Sequence, residues 1–186
     1  MTFPWLACSS RYMDSLPDLL RAARCLLGYT QTGIEDLFKL KSRSVYTLEA
    51  GRYKLTPRFA YLLKEKYEEE GVEFTDAGSD FGQGIRWRVP GRKDPYRRAM
   101  LPAARGLANL SQAQLAKIAD VDQKFIARLE LDDFEAVSRV KLDRLEAALK
   151  ARNVEFTSET TSFGAGVRWI KIPEPKKSGV EKVVSE

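Results

Sequence analysis

Apolar positions along this chain change their spacing in a fixed order, and the order occurs twice. In Leu110–Glu130, "LSQAQLAKIADVDQKFIARLE", Leu115, Ile118 and Ala119 fall at helical intervals, and Ile126 and Leu129 do so again after a break at Asp120–Asp122. Ser111 stands where the first of these helices needs an N-cap, and Asp122 stands before the second. Ala104, Leu107 and Ala108 mark an earlier helix over about 103–109, and Leu142, Leu145, Ala148 and Leu149 a longer one over about 138–152. The period then shortens to two, so "VEFT" from Val154 and "GVRWIKI" from Gly166 read as strands.

The first half follows the same plan. Pro17–Leu27 reads as a helix ended by Gly28, and Thr30 caps "QTGIEDLF". Ser42 is placed to cap "RSVYTLEA", with Gly51 closing that helix in a left-handed conformation. A long helix opens at Thr56-Pro57 with a cap and a first-turn proline. "VEFT" and "GIRWRV" then give two strands; in the second, Ile85, Trp87 and Val89 share one face, and Arg86 and Arg88 the other.

Residue identities make the duplication explicit. "FGQGIRW" (Phe81–Trp87) returns as "FGAGVRW" (Phe163–Trp169), and "VEFT" returns at the same separation of 82. Upstream, "AAR" at Ala22–Arg24 matches Ala103–Arg105, Gln31 matches Gln112, and Leu48-Glu49 matches Leu129-Glu130, all 81 apart. One residue is therefore inserted between the blocks. The expected fold is mainly α with small β-hairpins (α+β), in two tandem repeats of four helices plus a two-stranded hairpin. The expected organisation is a disordered leader over 1–16, with Met13 an alternative to Met1 as the start. A first domain over 17–90, a basic linker over 91–100, a second domain over 101–173 and a disordered tail over 174–186 follow. Each half is near the lower size for a self-sufficient core, so the halves are expected to pack on each other or dimerise.

Composition narrows the chemistry. The 186 residues contain no histidine, which removes histidine-based triads and metal sites. Cys8 and Cys25 form no metal or redox motif. The glycine pairs Gly82/Gly84 and Gly164/Gly166 precede strands instead of a helix N-terminus, so they read as hairpin positions and not phosphate loops. Trp87 and Trp169 read as core, and Cys25 as core of the first helix. No enzymatic activity, cofactor or metal is expected. No apolar run is long enough to span a bilayer and no signal peptide is read, so the expected location is the cytoplasm, in association with the nucleoid.

Leu110–Glu130 resembles the helix-turn-helix of the Cro/C1-type, or xenobiotic-response-element-like, transcription regulators. Thr47–Phe74 resembles the region just downstream in that family. The likeness covers nearly the whole chain, twice. It implies sequence-specific binding of double-stranded DNA by a bacterial, phage or mobile-element regulator. It assigns Gln31 and Gln112 to gripping a phosphate and bracing the reading helix. It places Gln123 and Lys124 at base edges, with Arg128 one turn on. In the first half the matching positions are Ser42, Arg43 and Thr47, with Ser44 alongside and Lys41, Arg52 and Lys54 for phosphates. Arg43 is the strongest base-contact candidate, because its fork fits guanine O6 and N7.

The two copies depart from the family pattern in different places. Glu35 stands where a small residue is usual and Ala116 keeps it; the turn glycine is replaced by Lys39 and by Asp120. Charge divides them further. Lys39–Arg58 holds six basic residues and one acid, net +5, whereas Asp120–Arg139 holds three basic residues and six acids, net −3. The joint Gly91–Arg98 adds four basic residues and one acid, net +3. Partners in this reading are double-stranded DNA, with room for a homodimer joined through hairpin edges and for RNA polymerase or another regulator. The competing reading is a helix-turn-helix antagonist or adaptor, antitoxin-like, that binds protein and does not read DNA.

Overall fold

The computed structural model describes residues 6–91, 94, 96, 98–131, 133 and 136–170, with side-chain surroundings from residue 15 onward. The expected tail over 174–186, the linker residues Arg92, Lys93, Pro95 and Arg97, and the acidic residues Asp132 and Glu135 lie outside the described residues. The fold is α+β. In chain order it runs α1 (Leu6–Leu26), α2 (Gln31–Leu37), α3 (Ser44–Glu49), α4 (Arg58–Glu69), β1 (Val72–Thr75) and β2 (Gly84–Trp87). Then follow α5 (Leu101–Ala108), α6 (Gln112–Ala119), α7 (Gln123–Glu130), α8 (Arg139–Lys150), β3 (Val154–Thr157) and β4 (Gly166–Trp169).

Local chemistry explains most boundaries. Thr30 Oγ1 accepts from Gly33 N at 2.9 Å, and Ser111 closes a capping box with Gln114. Gly28 (φ 75°) and Gly51 (φ 65°) take the left-handed positions that end α1 and α3. The extra residue of the second copy lies between α8 and β3: Ala151, Arg152 and Asn153 occupy a connection that Glu70 and Gly71 make in two residues.

Four expectations are corrected. The segment expected as a leader is helical from Leu6, and α1 carries Pro17 in its interior. Leu16 is buried with Leu19 and Leu20, and buried Ser15 donates a hydrogen bond to Gln83 Oε1, so contacts reward the continuation past the proline. Ser42 does not cap α3: Arg43 occupies the N-cap with φ 67°. Pro57, not Thr56, is the N-cap of α4. Val89 lies beyond the end of β2 and is exposed, leaving Ile85 and Trp87 as the buried face.

The hairpins do not stand apart. They join in one antiparallel four-stranded sheet of order β1-β2-β4-β3. The central register pairs Ile85 with Val167, and Gly84 and Arg86 with Arg168 and Gly166. Because these residues are related by the 82-residue offset, each half presents the same surface to the other, as at a two-fold interface. Gly84 and Gly166 make the approach possible: a Cβ at either would strike the facing backbone carbonyl, Val167 O or Ile85 O. Arg86 stacks over the Phe163 ring at 3.5 Å and Arg168 over Phe81 at 4.0 Å, so each repeated phrase grips the other's phenylalanine. Glu73 and Glu155 hold these arginines from the outer strands. Below the sheet α1 packs along α5, where Gly106 brings the Ala22 backbone close. Buried residues of both halves form one contiguous cluster.

Candidate nucleic-acid interface

The helix pairs α2–α3 and α6–α7 are built on one repeated network. Arg24 donates from Nε to Glu49 Oε1 at 2.5 Å and from Nη2 to Oε2 at 2.9 Å, while Gln31 Nε2 reaches the same carboxylate at 2.7 Å. In the second half Arg105 bonds Glu130 at 2.6 and 2.8 Å, and Gln112 Nε2 reaches Glu130 at 2.8 Å. Each arginine also satisfies a carbonyl at the end of its own helix, Tyr29 O or Leu110 O. One carboxylate thus ties the first, second and third helices of each half together. Burial alone would pull the Arg24 guanidinium down, but the Glu49 bond with neighbouring charges holds it above its ordinary value. Desolvation pushes up the Cys25 thiol and the Tyr67 phenol packed nearby.

This geometry refines the roles assigned to Gln31 and Gln112. The bracing role has a concrete form, since each amide nitrogen donates to the carboxylate that closes the third helix. Arg24, Glu49, Arg105 and Glu130 went unassigned in the sequence reading. Their signal was there, because the identical "AAR", Gln and "LE" of the two copies are the members of this network.

The third helices differ. Helix α7 starts at Gln123, and Gln123 and Lys124 are exposed at its first turn as expected, with Asp122 at the N-cap but making no side-chain cap bond. Helix α3 starts two residues later. Ser42 and Arg43, the counterparts of Gln123 and Lys124, lie in the turn before it, exposed. The cause is Glu35. Its carboxylate is buried in α2 and accepts from Val45 N at 3.0 Å, filling the N-terminus of α3 with a charge that complements the helix dipole. Glu35 is therefore a cap delivered from the neighbouring helix. Both turns use a left-handed residue where glycine is usual, Lys39 and Asp120, each with φ 51°.

Other candidates separate on this geometry. Arg43 and Arg52 flank the exposed Tyr46 ring at 5.3 and 5.1 Å, an arrangement that limits the wandering of both guanidinium groups. Lys41 and Lys54 are exposed on the same segment. Ser44 is partly covered at the first position of α3. The Thr47 hydroxyl donates to Arg43 O at 2.7 Å. Arg128 is engaged too: its Nε meets Asp133 Oδ2 at 2.9 Å and Nη2 meets Asp133 O. Asp120 pairs with Arg144 at 3.0 Å and Asp122 with Lys141 at 3.7 Å. By contrast, Lys39, Lys41, Arg43, Arg52, Lys54 and Arg58 are all exposed, with no acidic partner among the described residues. Among the described residues, no helix is long and apolar enough to cross a membrane.

Comparison of the chain with protein-family models, curated proteins and solved structures returned no match.

Proposed function

We propose that the chain is a sequence-specific, double-stranded DNA-binding transcription regulator built from two tandem helix-turn-helix units, of the kind found in bacteria, phages and mobile elements. The observation that carries the reading is the set of six exposed cations around the short helix α3, Lys39, Lys41, Arg43, Arg52, Lys54 and Arg58, which have no acidic partner among the described residues. Phosphate neutralisation dominates DNA affinity, and cations already paired within a protein contribute less of it. Arg43, steadied by Tyr46, is the base reader in this assignment; Lys41, Arg52 and Lys54 hold the backbone. Regulation follows from occupancy, with the bound chain blocking or recruiting polymerase.

Selection of bound sequences from a random duplex pool at near-physiological salt tests the reading. A reproducible motif is expected, with log K falling against log salt by about 0.9 per phosphate contacted. Salt-sensitive binding with no motif overturns it. That outcome would favour a protein-binding antagonist, a reading supported by the internal pairing of Asp120, Asp122 and Asp133 on the second unit.

A further inference from the structure

We infer that the DNA site of this protein is asymmetric and is occupied by one chain, with α3 as the base-reading helix and the second unit as a fused partner that does not read bases. The inference rests on the DNA-binding assignment above and specifies its substrate: a duplex element that is not an inverted repeat.

Two independent observations lead to it. The first is the closed seam. A helix-turn-helix protein that dimerises presents two equal readers and so selects a palindrome. Here the surface that would face a second copy is already used within the chain. Strand β2 pairs with β4 in a register that maps onto itself, Gly84 and Gly166 admit the facing backbone, and Arg86 and Arg168 exchange phenylalanines. Arg21 adds a fastening with no counterpart in the second half, where Pro102 stands at its position. Buried in α1, Arg21 donates to Gly106 O of α5 at 2.5 Å and to Glu49 O, at the end of α3, at 2.7 Å. The reading helix of the first unit is thereby tied to the first helix of the second.

The second observation is the electrostatic difference between two surfaces that the fold makes equivalent. Around α3 the side chains offered to a phosphate backbone are cations with no acidic partner among the described residues. Around the start of α7, Gln123 and Lys124 directly follow Asp120 and Asp122, whose side chains are 93% and 81% exposed. Those carboxylates flank the turn that would press against the sugar-phosphate chain. The nearby Arg128, Lys141 and Arg144 are spent on Asp133, Asp122 and Asp120. With those cations matched one for one by acids, the start of α7 offers a polyanion little beyond Lys124, against the six cations around α3. Geometry therefore makes the chain a dimer of units, and charge makes it a single reader.

The experiment combines the selected motif with stoichiometry and two exposed-residue variants of the full chain, all at positions where folding is not at risk. On the best selected duplex, native mass spectrometry is expected to give one chain per site. The motif is expected to lack an inverted repeat with half-sites about 10 bp apart. Arg43→Ala is expected to weaken binding by about 5- to 150-fold, the loss of one good base contact. The double change Gln123→Ala with Lys124→Ala is expected to shift it less than about threefold. An inverted-repeat motif, two chains per site, or equal losses from the two variants would overturn the inference while leaving DNA reading intact. Absence of any motif would remove the DNA-reading assignment and this inference with it.

Discussion

Replacing Glu49 by leucine is the most informative single perturbation of the framework. The Glu49 side chain is 4% exposed and its partner Arg24 12%, so the pair is shielded from solvent and the discount due to exposed ion pairs does not apply. Removal of Glu49 leaves a buried guanidinium with two donors unmet and strips Gln31 of its acceptor. Breaking one partner of a buried pair costs about 3–5 kcal/mol. For a chain of this size each kcal/mol lowers the melting temperature by about 2–4 °C, so a fall of roughly 6–20 °C is expected. Urea unfolding followed by far-UV circular dichroism gives the free energy directly. The same measurement on Arg24→Leu and on the double leucine variant completes a cycle. The double variant is expected to lose much less than the sum of the singles, because no orphan charge remains. Glu130→Leu provides an internal repeat of the experiment, with a similar cost at 10% exposure. A loss below about 1 kcal/mol for Glu49→Leu, or strict additivity of the pair, would refute the claim that this network ties the helices together.

Three further outcomes follow from the same geometry. Gly84→Ala and Gly166→Ala each force a methyl group onto a carbonyl of the facing strand and should cost at least about 1–3 kcal/mol, seen as a lower urea midpoint. Tyr67 is buried and its phenol is pushed above its ordinary value, chiefly by desolvation and then by Glu49. The folded value exceeds the unfolded one, so this stabilisation is complete below the unfolded value, about 10, and is lost as pH rises from there through the folded value; Tyr67→Phe should flatten that alkaline decline. In a Cys8→Ser background, the Cys25 thiol, raised mainly by burial, should react with iodoacetamide far more slowly in the native protein than in urea.

Much of the fold could be read from residue patterns because its determinants are local. The caps at Thr30 and Ser111, the left-handed glycines at positions 28 and 51, and all four strands follow from spacing and turn chemistry. The start of α1 did not, because a proline after a polar stretch reads as a helix opening, and the contacts of Ser15 and Leu16 are made with residues distant in sequence. The late start of α3 was hidden for a related reason: the cap arrives from Glu35 on another helix, not from the residue next to the helix. The pairing of β2 with β4 was equally out of reach. The small size of each half pointed to packing between them, but not to pairing of their repeated strands. For the candidate interface, charge counting separates the halves by net sign. Only geometry distinguishes the unpaired Arg43 and Lys54 from Arg128, whose guanidinium is already held by Asp133.

The central seam also sets the order in which the chain can fold. Ile85 and Val167 are paired neighbours in the sheet although 82 positions separate them. Closing a loop of that length costs about 4 kcal/mol in chain entropy before any contact across the seam offsets it. The helices, the β1–β2 turn and the β3–β4 turn need no such closure and form first. During synthesis β2 therefore emerges with an open edge, and it waits for half the protein to follow before β4 covers it. An uncovered strand edge is a template for pairing with other chains. Slower translation of the second half would lengthen that exposure and raise aggregation, even though the finished protein is unchanged.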